Sequence, residues 1–168
     1  MEIILSIMAS DRPGIVEQVA SAVADAGGSW QESRLATMAG RFAGIVRVNL
    51  DAGQLETLRA STQALGSKGL SIQIEVGDSE DATLHHHRIA VVGNDRTGIV
   101  AEVTRKLAAM NINLVDVHTD VEPASMSGGV LFRAELELGL TDEQSLDSVI
   151  QGLEDLSADL MVDVLGND

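Results

Sequence analysis

The chain uses one seven-residue stretch twice. Ser10-Asp11-Arg12-Pro13-Gly14-Ile15-Val16 returns as Asn94-Asp95-Arg96-Thr97-Gly98-Ile99-Val100, an offset of 84 residues in a chain of 168. The match continues without a gap. Between 11–26 and 95–110, 7 of 16 positions are identical: Asp11, Arg12, Gly14, Ile15, Val16, Val19 and Ala24 in first-copy numbers. Self-similarity at half the chain length marks a tandem duplication, so the fold must be one that about 80 residues can complete. Domains that small bury only ~60–65% of the surface their unfolded chain exposes. Each copy is therefore expected to pack on the other or on a partner chain, and the protein to be a homo-oligomer.

The expected boundaries are a first domain over 1–76, a linker over 77–87 and a second domain over 88–168. Aromatic residues make up only 2% of the chain while 45% is hydrophobic, so the cores must be built from Val, Leu, Ile, Ala and Met. The formal net charge of −15 repels phosphate backbones and anionic membrane surfaces. No cluster among the 11 Lys and Arg residues offers a basic stripe, which argues against direct nucleic-acid binding. There is no cysteine, which removes disulfides, thiolate nucleophiles and sulfur-ligated zinc. The first residues lack a basic signal-peptide start, and no apolar run approaches the ~20 residues of a membrane span. A cytoplasmic protein is expected.

In the first copy, Glu2–Met8 reads as a buried strand. Ser10-Asp11 followed by Pro13 reads as a helix start, a capping oxygen ahead of a proline whose missing N–H costs nothing. Ile15, Val16, Val19, Ala20 and Val23 line one helical face, and Gly27-Gly28 ends the helix. Trp30–Met38 reads as a strand, Ala39-Gly40 as a tight turn, and 42–50 as a strand with Phe42, Val46, Val48 and Leu50 inward. Asp51 is placed as the cap of a second helix, with Leu55, Leu58 and Leu65 buried. Ile72, Ile74 and Val76 make the fourth strand. The second copy repeats this order, with Asn111 as helix C-cap, a loop over 122–129 and Thr141 with Gln144 as a capping box.

The order βαββαβ, twice, predicts an α+β protein of two ferredoxin-like sandwiches. Each would be a four-stranded antiparallel sheet with both helices on one face. Both first strands carry apolar residues on both sides, so the helix-free sheet faces are expected to be covered. Fold alone does not give function. An RNA-binding version needs stacking aromatics and a basic face, and a copper carrier needs a Cys-x-x-Cys loop; both are missing. An acylphosphatase-like anion site at Arg12 or Arg96 with Asn94 is disfavoured by the carboxylates of Asp11 and Asp95 beside the loop.

Asp11-Arg12-Pro13-Gly14-Ile15-Val16 after a short strand, and its second copy, resemble the opening of ACT domains, the small amino-acid-sensing modules. The run from Asp11 to Phe42, including Gly28-Ser29-Trp30-Gln31-Glu32-Ser33-Arg34-Leu35-Ala36-Thr37-Met38, resembles the glycine cleavage system transcriptional repressor family, tandem ACT proteins with no further domain. The resemblance covers nearly the whole chain. It implies a ligand site at the seam between modules, using the strand–helix turn of one and the second strand of another. The positions carried over are Asn94, Asp95, Thr97, Gly98 and Ile99, with Asn113, Leu114 and Val115 on the second strand. In the first copy they are Ser10, Asp11, Pro13, Gly14 and Ile15.

Such a turn suits an amino acid. A helix N-terminus offers unpaired N–H groups to a carboxylate, a glycine leaves the backbone accessible, and an aspartate can take the ammonium. The residues themselves leave two readings open, a ligand site and an ordinary helix cap. Asn94 and Asn113 make the second copy the better site in this reading. His85-His86-His87 precedes a strand, where successive side chains point opposite ways and cannot form one compact metal site. The expectation is a non-catalytic regulator without cofactor. It would bind a small amino acid, glycine being suggested by the resemblance, and act on a protein partner such as a transcriptional activator. The alternative is a ligand-independent interaction adaptor, and a small-molecule enzyme ranks third.

Overall fold

The protein is described by a computed structural model covering residues 1–77, 84–124 and 129–166. Part of the expected linker (78–83) and of the expected loop (125–128) lies outside the described residues. The chain divides into two compact units, Met1–Glu80 and Asp81–Asp168.

Unit 1 runs β1 (Glu2–Ser10), α1 (Ile15–Asp25), β2 (Ser29–Met38), β3 (Arg41–Asn49), a single 3-10 turn (Ala52–Gln54), α2 (Leu55–Gly66) and β4 (Leu70–Val76). Its antiparallel sheet has the order β2-β3-β1-β4. Alternation decides the faces. Ile3, Leu5, Ile7 and Ala9 of β1 are buried together with Phe42, Val46 and Val48 of β3. Ile15, Val19, Ala22 and Val23 of α1, spaced for one helical stripe, close over them with Leu58 and Leu65 of α2. Both helices thus share one sheet face, as the element order predicts. Ala39 and Gly40 both take positive φ (49° and 75°), the geometry of a two-residue hairpin turn between β2 and β3.

Unit 2 repeats the plan: β5 (His85–Asn94), α3 (Ile99–Ala109), β6 (Asn113–Pro123), β7 (Val130–Leu140), α4 (Leu146–Glu154) and β8 (Met161–Leu165), with sheet order β6-β7-β5-β8. Its core joins Ile89 and Val91 of β5 with Phe132, Leu136 and Leu138 of β7, under Val103 and Leu107 of α3 and Val149 and Leu153 of α4. Asn111, in the left-handed region at φ 56°, occupies the repeat position of Gly27 (φ 73°) and ends α3 as Gly27 ends α1.

Four local readings change; the first is Asp51, whose side chain caps no helix and which precedes the 3-10 turn, while Gln54 is the N-cap position of α2. The helices do not start where the capping reading put them. Gly14 (φ 85°) and Gly98 (φ 91°) are the N-cap residues in the left-handed region, so Pro13 and Thr97 stay outside the helices. Ser10 and Asp11 cap nothing, because no side chain caps α1. Likewise, Gln144 Oε1 accepts from the Thr141 amide (2.9 Å), but this closes a turn ahead of α4, whose own cap is Ser145. Finally, β5 begins at His85, so His85–His87 belong to the sheet rather than to a linker.

Candidate functional site

At the first repeated turn, β1 ends against the β2–β3 hairpin: the Asp11 amide donates to Gly40 O (2.9 Å). The Thr37 hydroxyl donates to Asp11 Oδ1 (3.3 Å), and Arg41 donates to Ser10 Oγ (2.7 Å). Arg12 bends back across the helix start to Gln18 Oε1 and to Lys68 O, both at 3.2 Å. Gly14 then turns the chain into α1. With no side-chain cap, the first-turn amides have no intrahelical acceptor and carry the positive end of the helix dipole.

The second turn has the same backbone and different occupants. Arg96 donates to both oxygens of Glu102 (2.7 and 2.6 Å). This raises the Arg96 pKa and holds the Glu102 carboxyl below its ordinary value. The Asn94 amide donates to Asp159 Oδ2 (3.0 Å). Asp159 is held below the ordinary carboxylate range chiefly by the Ser157 hydroxyl and then by Asn94. Strand register aligns Ile72 with Val162, since they pair with Ile7 and Val91, so Asp159 stands where unit 1 has Gly69.

The two turns are therefore electrostatically unequal. Arg12 has no carboxylate partner among the described residues. The second turn gathers Asp95, Glu102 and Asp159 around one neutralised arginine, and the Asn94 backbone N–H is engaged by Asp159.

Within unit 2 the expected site residues form two groups. Asn94 to Ile99 lie at the C-terminal end of β5. Asn113 pairs with Gly139, which pairs with His86, eight residues back along β5. At ~3.3 Å per residue the two groups are ~26 Å apart. Asn113 instead lines a surface groove of about 410 Å³ with Asn111, Thr141 and Gln144. Leu114 packs against the core, and Val115 is exposed at a register shift between Leu114 and Asp116. Trp30, at the repeat position of Leu114, is half-buried beside Val16 and Ala20.

The histidine run splits as its strand position demands. His85 Nε2 meets Asp142 and His86 Nδ1 meets Glu137, each at 2.7 Å. Among the described residues no three His, Asp or Glu side chains converge as metal ligands, and no helix is long and apolar enough to cross a membrane. Sequence reasoning missed Gln18, Glu102, Lys68 and Asp159. Gln18 and Glu102 occupy the same repeat position, six residues after each arginine, so the aligned copies held that signal. Asp159 has none, because the copies differ in length before their last strands.

ACT-domain profiles match residues 2–77 and residues 81–158. The chain belongs to the ACT-domain family, as two ACT domains in tandem. A structure of a protein of unknown identity from Galdieria sulphuraria matches at 26% identity and a TM-score of 0.83, over 97% of this chain and 96% of that one. A protein described as a candidate glycine cleavage system transcriptional repressor matches at 17% identity and a TM-score of 0.74, over 99% and 98%. The second likeness shows the shared fold. No curated protein matches the sequence significantly. ACT domains in tandem are typical of regulatory, ligand-binding proteins.

Proposed function

We propose that this ACT tandem is a non-catalytic regulator that takes up a small amino acid at a strand-to-helix turn and acts on a protein partner. The observation that carries the reading is the uncapped start of α1: a glycine-opened helix N-terminus beside Arg12, a cation with no carboxylate partner among the described residues. The amides of Ile15, Val16 and Glu17 and the Arg12 guanidinium suit a carboxylate. Asp11, whose side chain accepts from the Thr37 hydroxyl and from no other side chain among the described residues, suits the ammonium. Ser10 and Pro13 frame the turn.

Asn94, Asp95, Thr97, Gly98 and Ile99 supply the same backbone with a more negative surround, so the first turn is the stronger site in this reading. Any contribution from Asn113, Leu114 or Val115 would come from a neighbouring module, given their distance within unit 2. Glycine is the leading ligand, and transcriptional control of the glycine-cleavage type the leading role, by similarity to the repressor-like structure. A chain of net charge −15 would exert such control in the cytoplasm through an activator protein rather than through DNA. The second turn favours the adaptor reading for unit 2, since its arginine and the backbone N–H of Asn94 are satisfied internally.

Calorimetric titration with glycine, serine, threonine and the branched amino acids tests the proposal. A ligand at ~100 times its dissociation constant should add ~2.7 kcal/mol of stability. Arg12→Met should weaken binding and Arg96→Met leave it largely unchanged. Heat and melting-temperature traces unmoved by every amino acid would leave the adaptor reading standing, and an operator fragment shifted by the protein alone at physiological salt would refute the partner route.

A further inference from the structure

The duplicated units differ most in charge. Residues 1–77 hold eight Asp and Glu against six Lys and Arg; residues 78–168 hold eighteen against five. Part of the excess stands on β6, an outer strand of its sheet. Register assigns the β6 side chains to faces. Asp116, His118 and Asp120 lie across from Glu137, Glu135 and Arg133 on the helix-free face, with Glu122 next in line. Val117 and Val121 lie across from the core residues Leu136 and Phe132, yet at the sheet edge they stay 46% and 54% exposed.

An edge strand also presents backbone groups that no neighbouring strand takes. The Ala124 amide turns inward, donating to Gly129 O (2.9 Å), so by alternation Val117, Thr119 and Val121 turn theirs to the open edge. Two of these three are held by side chains of the same strand. The Val117 amide donates to Asp116 Oδ1 (3.0 Å) and the Val121 amide to Asp120 Oδ1 (2.8 Å). Neither carboxylate forms an ion pair among the described residues. Such capping blunts an edge against indiscriminate pairing. The first repeat lacks the device: Glu32 and Ala36 hold the matching positions of β2, and Glu32 is engaged by Arg34 and Arg47 (3.3 and 3.0 Å).

We propose that the β6 edge is a guarded strand-addition site for an extended segment of a partner protein, with Lys or Arg at alternate positions and apolar residues between them. The guard sets the selectivity. A docking strand offers its carbonyls to the Val117 and Val121 amides and so displaces the Asp116 and Asp120 carboxylates. A neutral strand leaves those carboxylates to water alone, and an acidic one sets like charge against them. A basic strand gives each released carboxylate a charged donor, with Glu122 as a further acceptor, while its apolar side covers Val117 and Val121. A second copy does not supply that strand. Pairing β6 with β6 sets carboxylate against carboxylate, and Arg34 is the single basic residue on the other edge strands, β2, β4 and β8. This inference names the partner chemistry for the proposed action on a protein and rests on that reading for its purpose; the amino-acid titration can succeed or fail without it.

A fluorescein-labelled peptide alternating lysine and valine is the probe, with the full chain as its target. Fluorescence anisotropy should show saturable binding that weakens with salt, and hydrogen exchange should slow at the amides of Val117, Thr119 and Val121. The same peptide N-methylated at alternate residues keeps its charge but loses the hydrogen bonds of one edge, and should bind roughly tenfold more weakly or worse. A peptide alternating glutamate and valine should not bind. Asp116→Asn combined with Asp120→Asn changes two exposed side chains, so the circular dichroism spectrum should hold while affinity for the lysine peptide falls roughly tenfold. No binding at ~1 mM lysine peptide, equal binding of the N-methylated peptide, an unaffected double variant, or exchange protection confined to another strand would each overturn the proposal. So would protection of the β6 amides that rises with protein concentration in the absence of peptide, since a second copy would then hold the edge.

Discussion

Replacing Gly14 with alanine isolates what the repeated turn demands of its glycine. A Cβ at Gly14 would meet only Gln18 Nε2, at an ordinary 3.6 Å, so space is not the constraint. The constraint is φ, at +85°. An L-residue in the left-handed region costs roughly 1–2 kcal/mol, and alanine returns about 0.4–1 kcal/mol by restricting the unfolded chain. The net loss is on the order of 1 kcal/mol. For a unit of this size the urea dependence is about 1 kcal/mol/M, so the unfolding midpoint should fall by roughly 1 M.

The assay is built into the sequence, because Trp30 is the only tryptophan and lies in unit 1. Its fluorescence reports that unit's unfolding without a label. Gly53→Ala is the matched control: a Cβ there meets nothing within 4 Å, so space is again not the constraint, but Gly53 has no positive φ and sits in the 3-10 turn. It should leave the midpoint level or raise it. Gly14→Asn should recover part of the loss, since asparagine tolerates the left-handed region better than alanine. A Gly14→Ala midpoint no lower than that of Gly53→Ala would refute the argument, and with it the claim that the left-handed glycine sets the helix start.

Two further outcomes are expected. Gly44→Ala should destabilise unit 1 by more than about 4 kcal/mol, because its Cβ would lie 2.0 Å from Arg34 O and 2.8 Å from Leu35 Cα, and backbone cannot step aside; Trp30 fluorescence and hydrogen exchange in β2 read the effect. Glu102 has its folded-state pKa depressed by Arg96, so its stabilising contribution is present above the unfolded carboxylate value and is lost as pH falls through the lowered folded value. Glu102→Gln should therefore cost stability at neutral pH, with the gap to the unaltered chain closing in acid and narrowing in high salt; urea titrations across pH show whether it closes.

The fold was legible because two signals agreed in each copy. Strand alternation named Phe42, Val46 and Val48, and the helical stripe named Val19 and Val23 as their cover; β1, read as buried on both faces, buries only Ile3, Leu5, Ile7 and Ala9 and leaves Met8 exposed. Repetition over 84 residues then excluded an accidental pattern. The helix starts were misread for a physical reason. Ser10-Asp11-x-Pro has the composition of a cap, and composition cannot show that Gly14 holds a positive φ, which moves the start to Ile15. Site residues separated further. Gln18 and Glu102 were recoverable from the repeat, since an arginine that reaches six residues on must meet whatever stands there. Asp159 was not, because it enters from a segment where the copies differ in length.

That last residue shows how the copies diverged. Both turns keep Asp-Arg-x-Gly and the left-handed glycine, so the backbone device was retained in both. What differs is the partner of the arginine: a neutral Gln18 leaves Arg12 charged toward solvent, whereas Glu102 neutralises Arg96. Asp159 adds a further negative charge where unit 1 has Gly69. The same direction of change appears on the sheet faces, where the register position of Ile45 is held in unit 2 by Glu135. A duplicated site that had merely drifted would lose its special backbone along with its charge. Here the backbone persists while the charge pattern separates, as expected if unit 1 keeps a turn that meets a ligand and unit 2 offers an acidic surface to a different partner.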